Sequence, residues 1–229
     1  PTTRTPTTQP PTVAPTTNSP TTQPTITPCD APIDLVFLID GSGSVSAGGF
    51  ATSMTFVSRV AASMVVAPTR VHVGVSVFDD AAVSHLNLGA GQSQAAVDSA
   101  VSAIGFPGGR TNTALGLTFV GNTMYAASSG ARSPPTPRVL VVVTDGQSLD
   151  PAATALAAAT LRDTFRVQIV AVGIGSAVNE TELAEIAGDR SGVLTINGMS
   201  GLLDHVSAVA LASCVSVAPT GAPTLRPSA

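Results

Sequence analysis

The chain has no tryptophan, a single tyrosine and seven phenylalanines, so aromatics make up 3% of its 229 residues. A core short of large rings must be built from Val, Ala, Leu and Ile, which suits a Val-rich parallel sheet covered by Ala-rich helices. Lysine is absent, and all ten basic residues are arginines. Charged residues reach only 10%, far below the roughly one quarter usual for globular chains. A formal net charge of −4 with no basic cluster argues against nucleic acid or an anionic membrane surface as partner. No apolar run approaches the ~20 residues that span a bilayer, so membrane insertion is not expected within this segment. The chain opens on Pro1 inside a repetitive tract, with neither an initiator methionine nor a signal peptide, and reads as a processed protein or a piece of a larger one.

Cysteine is nearly absent too, but Cys29 and Cys214 bracket the whole globular part. Two free buried thiols are one reading. The placement favours the other, a disulfide joining the two ends of a domain at 29–214. In the chain-entropy model so long a loop contributes up to about 5 kcal/mol, and a structural disulfide implies an oxidising, extracellular compartment. Outside this span, residues 1–28 are almost entirely Thr and Pro, with Pro6-Thr7-Thr8-Gln9-Pro10 echoed by Pro20-Thr21-Thr22-Gln23-Pro24. Such a tract cannot bury apolar surface, and its prolines predict an extended, polyproline-like linker or O-glycosylated stalk. Residues 215–229 have the same character. The whole looks like one bead of a modular extracellular chain.

Between the tails, strand and helix patterns alternate. Ile33-Asp34-Leu35-Val36-Phe37-Leu38-Ile39 is an apolar run that reads as a strand buried on both faces. A helix follows over Ser46–Val66, then a period-two strand over Arg70–Phe78, an Asp79-Asp80 turn and an antiparallel edge strand over Val83–Leu88. Helices are expected from Ser93 to Ile104 and from Asn112 to Ser128. Arg138–Thr144 is a second buried strand, followed by a helix with Pro151 in its first turn. Another strand spans Val167–Ile174, and Asn179 caps the next helix. Gly192–Ile196 and Leu202–Ala212 close the pattern. It predicts an α/β fold, doubly wound, with a mostly parallel six-stranded sheet, one antiparallel edge strand and helices on both faces.

Three loops then fall at the carboxyl ends of strands, where open α/β sheets place their ligands. They are Asp40-Gly41-Ser42-Gly43-Ser44, Gly108-Gly109-Arg110-Thr111-Asn112-Thr113 and Thr144-Asp145-Gly146-Gln147-Ser148. Carboxylates and hydroxyls form a hard-oxygen set suited to Mg²⁺, Mn²⁺ or Ca²⁺ rather than zinc. With these residues the chain resembles a von Willebrand factor type A domain, a Rossmann-like fold, over about Pro32 to Ala212. Its three loops match that family's metal-ion-dependent adhesion site. The resemblance implies Asp40, Ser42, Ser44, Thr111 and Asp145 as the metal-site residues, Mg²⁺ foremost as the ion, and a partner protein presenting Asp or Glu. Arg110, beside Thr111, is a candidate for holding an acidic ligand, against the plainer reading of a solvated loop arginine. Asn179-Glu180-Thr181 is a formal N-glycosylation sequon as well as a helix cap. The three histidines are scattered without metal-ligand spacing and are read as structural.

No enzyme class fits well. A haloacid-dehalogenase-like phosphatase wants a second aspartate where Ser42 stands. That fold, receiver domains and the Walker loop all use a lysine, which this chain lacks. Gly41-Ser42-Gly43 is not a nucleophile elbow, and Gly173-Ile174-Gly175 lacks the third glycine of a dinucleotide loop. The expectation is a secreted adhesion or protein-binding module. Its rival is a structural bead of an extracellular fibre, wall or matrix that assembles with neighbouring copies.

Overall fold

The apolar runs condense into a single six-stranded sheet. In the computed structural model, which describes residues 31–176 and 178–215, the strands are β1 (Ile33–Asp40), β2 (Val71–Phe78), β3 (Ala82–Leu86), β4 (Arg138–Thr144), β5 (Val167–Ile174) and β6 (Val193–Ile196). Their order is β3-β2-β1-β4-β5-β6, parallel throughout except for the antiparallel β2–β3 pair. The helices are α1 (Ser46–Ala62), α2 (Gln94–Ala103), α3 (Thr113–Phe119), α4 (Pro151–Asp163), α5 (Glu180–Ala187) and α6 (Val206–Val215). The expected tails and Cys29 lie outside the described residues.

Because strand side chains alternate between faces, each strand feeds two cores. Ile33, Leu35, Phe37 and Ile39 of β1 pack with Phe50 and Val57 of α1, Val97 of α2 and Val209 of α6. Val36 and Leu38 join Leu117 of α3, Leu161 of α4 and Leu183 of α5 on the other face. Every residue of β1 is buried, as a strand covered on both sides requires. From β1 the chain runs outward through β2 and β3, then returns to the other side of β1 as β4. The carboxyl ends of β1 and β4 therefore meet where the strand order reverses, and the crevice there is the natural ligand site.

Several boundaries differ from the sequence expectation. The first helix stops at Ala62, and Val66 instead bridges to Val71. The edge strand ends at Leu86. The helix expected over Asn112–Ser128 is α3 followed by a π-turn at Val120–Met124 and a short 3₁₀ turn at Ala127–Ser129. That π-turn shifts the helical frame so that Val120, Met124 and Tyr125 are all buried, and the Tyr125 hydroxyl donates to the Val139 carbonyl at 2.6 Å. The last helix starts as a 3₁₀ segment over Met199–His205 before becoming α6.

At the end of the sheet away from the β1–β4 crevice, fully buried Asp34 accepts from the backbone N–H and the Nε of Arg132, both at 2.7 Å. His72 sits beside this pair, with Nδ1 4.0 Å from Asp34 and Nε2 2.8 Å from the Pro68 carbonyl.

Candidate metal centre

β1 delivers Asp40 to the crevice as its last residue, 1% exposed. The chain then turns over its own carboxylate: the Ser42 N–H donates to Asp40 Oδ1 at 2.8 Å. The first of the two intervening glycines answers to packing. A Cβ on Gly41 would lie 2.6 Å from Pro107 and 2.8 Å from Val77, so only glycine fits between them. The Gly43 N–H donates to the Gly109 carbonyl, and the Gly108 N–H to the Gly41 carbonyl, at 2.8 and 2.9 Å. These bonds zip the first loop to the Thr111 loop. Ser46, directly after the loop, has φ 61° and ψ 159°, a region ordinarily left to glycine, so local strain is held next to the site.

The Thr111 loop is fixed from its other side by the turn after β2. Asp79 gives its carbonyl to the Asn112 N–H at 3.2 Å. Asp80 accepts from Arg110 through Nε at 2.6 Å and more weakly through the backbone N–H at 3.4 Å. Asn112 in turn caps α3 by accepting from the Leu115 N–H. Asp79-Asp80 is therefore more than the plain turn expected from sequence, since it straps the loop that carries Thr111. Arg110 is engaged by Asp80 rather than turned into the crevice, and its side chain is 74% exposed.

β4 supplies the third loop. Its last residue, Thr144, donates from Oγ1 to Asp40 Oδ2 at 2.6 Å, and the Gly146 N–H donates back to Thr144 Oγ1 at 3.3 Å. The Ser44 hydroxyl donates to Asp145 Oδ1 at 2.8 Å and lies 3.0 Å from Ser42 Oγ. A Cβ built on Gly146 would stand 3.8 Å from Ser44 Oγ and 3.9 Å from Thr111 Oγ1, so these two hydroxyls converge beside that glycine. The Leu149 N–H donates to the Thr111 carbonyl at 3.0 Å and ties the third loop to the second. All five residues expected at the site thus lie on loops that are bonded to one another. Thr144, which the sequence reading did not single out, supports Asp40; the only signal was a hydroxyl residue ending an apolar strand.

Electrostatically the site is rich in oxygen and poor in cation. Burial pushes the Asp40 carboxyl above the usual carboxylate range, the bonds from Ser42 and Thr144 pull it back only in part, and the Asp145 charge adds to the rise. The hydrogen bonds that Asp40 and Asp145 receive come from Ser42, Thr144 and Ser44, not from a basic side chain. Two carboxylates and three neutral hydroxyls around one crevice, with the Asp40 charge buried and, among the described residues, no guanidinium on either carboxylate, fit a hard divalent cation. Ser42 is buried and Ser44 exposed, so the set runs from the sheet edge out to solvent and leaves its outer side open.

At the α5 end of β5, the Asn179 side chain accepts from the Thr181 and Glu182 N–H groups, as expected of a cap. No cysteine among the described residues is free. Among the described residues no helix is long and apolar enough to cross a membrane.

A family model for the von Willebrand factor type A domain matches residues 34–204. The chain is 37% identical over 157 residues to the mouse collagen alpha-4(VI) chain, a match that takes in 69% of this chain and 6% of that one. It is 33% identical over 162 residues to mouse matrilin-2, covering 70% of this chain and 16% of matrilin-2. The chain thus spans about a sixth or less of these relatives. Among solved structures, proximal thread matrix protein 1 from the mussel byssus superposes with a TM-score of 0.77 at 25% identity, over 82% of this chain and 49% of that one. A second structure of that mussel protein has zinc in its metal-ion-dependent adhesion site motif and superposes with a TM-score of 0.76 at 24% identity.

Proposed function

Because the chain belongs to the von Willebrand factor type A domain family, we propose that it is an extracellular protein-binding module whose ligand carboxylate docks on a divalent cation held at the β1–β4 crevice. The observation that carries this reading is the meeting of Asp40, Ser42, Ser44, Thr111 and Asp145 on three mutually bonded loops around a buried carboxylate that no basic side chain among the described residues pairs with. Ser42, Ser44 and Thr111 supply neutral oxygens, while Asp40 and Asp145 balance the ion directly or through water. Neutral ligands leave a bound cation much of its positive charge, which attracts a carboxylate from a partner. Mg²⁺ is the ion we favour, with Mn²⁺ and Ca²⁺ as alternatives.

The remaining assignments go with this proposal. The domain runs from Cys29 to Cys214, which pair as a disulfide, between Thr/Pro-rich linkers at 1–28 and 215–229. Asn179 is a glycan acceptor in a secreted protein. The module is a binder and not an enzyme. Arg110 has only a minor part in ligand binding, because it is held by Asp80.

Titrating Mg²⁺, Mn²⁺ and Ca²⁺ into chelator-stripped protein, with Asp145→Ala as control, tests the site. Binding is expected in the wild type and lost in the variant. At ~100 times Kd the cation should stabilise the domain by about 2.7 kcal/mol in thermal unfolding. No binding in the wild type would sink the reading. It would favour a structural bead, a second reading supported by relatives that are a collagen chain and a matrilin. Such a bead would assemble with neighbouring copies equally well in chelator.

A further inference from the structure

α5 begins in an orthodox way and then departs from the rule. Asn179 caps it, and Glu182 stands at the third helical position, where a glutamate commonly reaches back to the cap N–H. Glu182 does not reach back. Its Oε1 accepts from the Ser148 N–H at 3.1 Å, three residues beyond Asp145 on the loop between β4 and α4. Glu182 is 6% exposed and Ser148 8%. Glu182 Oε2 and Ser148 Oγ are buried and have no hydrogen-bond partner. An acidic side chain is thus buried where its only hydrogen bond among the described residues goes to the loop carrying Asp145, with the positive end of α5 to offset its charge. The same loop is held at the next residue by the Leu149 N–H bond to the Thr111 carbonyl.

We propose that Glu182 is a positioning residue for the metal centre: by clamping the Ser148 amide to α5 it holds the Asp145 loop in the geometry that receives the cation. The inference rests on the metal reading above for its consequence, though not for its geometry. Groups that orient a ligand from behind commonly change metal affinity by ~10–100-fold when removed.

The test compares Glu182→Ala, Glu182→Asp and Glu182→Gln by Mn²⁺ calorimetry and by amide hydrogen exchange in chelator. Glu182→Asp withdraws the acceptor by one methylene while keeping the charge, and serves where Glu182→Ala fails to fold. Both should weaken Mn²⁺ about ten-fold or more and speed exchange at Ser148 and Leu149 relative to β4. Glu182→Gln keeps a carbonyl acceptor and should restore affinity to within about three-fold of wild type. A variant that melts lower but keeps wild-type Mn²⁺ affinity and wild-type loop protection overturns the proposal. Failure of Gln to rescue overturns it as well. If the wild type binds no cation, the functional reading falls, and exchange in the metal-free variants still decides the role of Glu182.

Discussion

Asp40 sets the energetics of the site at the scale of single residues. Its folded-state pKa lies above the ordinary value because burial penalises the charge more than Ser42 and Thr144 relieve it. The folded domain therefore takes up a proton at Asp40 more readily than the unfolded chain does. Its contribution to stability is present at low pH and is lost as pH rises through the raised value. In chelator, wild type should lose stability relative to Asp40→Asn as pH is raised from the ordinary carboxylate range towards neutral. Thermal melts of the two proteins across that range read the difference. At neutral pH the metal-free variant should melt higher than wild type, and it should no longer respond to added cation. A wild-type curve parallel to that of Asp40→Asn at every pH would mean that the buried charge carries no such cost.

At the scale of elements, the site depends on how helices and turns are anchored. α5 is eight residues long and is held by its Asn179 cap, so Asn179→Ala should cost about 1 kcal/mol. Asn179→Asp retains the capping oxygen and removes the proposed glycan acceptor. Unfolding of the two variants, with mass measurement of the secreted protein, separates cap from modification: equal losses would assign the effect to the glycan rather than the cap. The Asp79-Asp80 strap shows why the sequence undersold these anchors. Two aspartates after a strand read as a turn, and only the folded chain brings Gly109, Arg110 and Asn112 against them. The π-turn at Val120–Met124 was hidden for a similar reason. Periodicity follows one face, whereas burying both Met124 and Tyr125 needs an extra residue in the turn.

At the scale of the molecule, the two-core sheet is closed by α6, whose Cys214 packs against the core that also holds Ile33 and Phe37. A disulfide from Cys214 to Cys29 would link the last helix to the chain just before β1. Cys214→Ser should then lower stability by about 2–5 kcal/mol while leaving the cation response of the folded protein intact. Melts with and without reductant check this, since reductant should bring wild type down to the variant. Indifference of the wild type to reductant would instead favour a buried thiol.

Composition and pattern by themselves determined the layered α/β architecture, because unbroken Val/Leu/Ile runs can be satisfied only between two layers of helices. They also pointed to Asp40, Ser42, Ser44 and Asp145, which follow the carboxyl ends of β1 and β4, whereas Thr111, on the loop between α2 and α3, came from the family resemblance and is brought to the crevice by the fold. Tertiary structure decided what supports those residues. Thr144 under Asp40, the Asp80 hold on Arg110 and the Glu182 clamp on Ser148 join residues far apart in the chain. A hydrogen bond between distant loops leaves no periodicity in sequence: it exists only once the sheet has set the loops within 3 Å or so of one another.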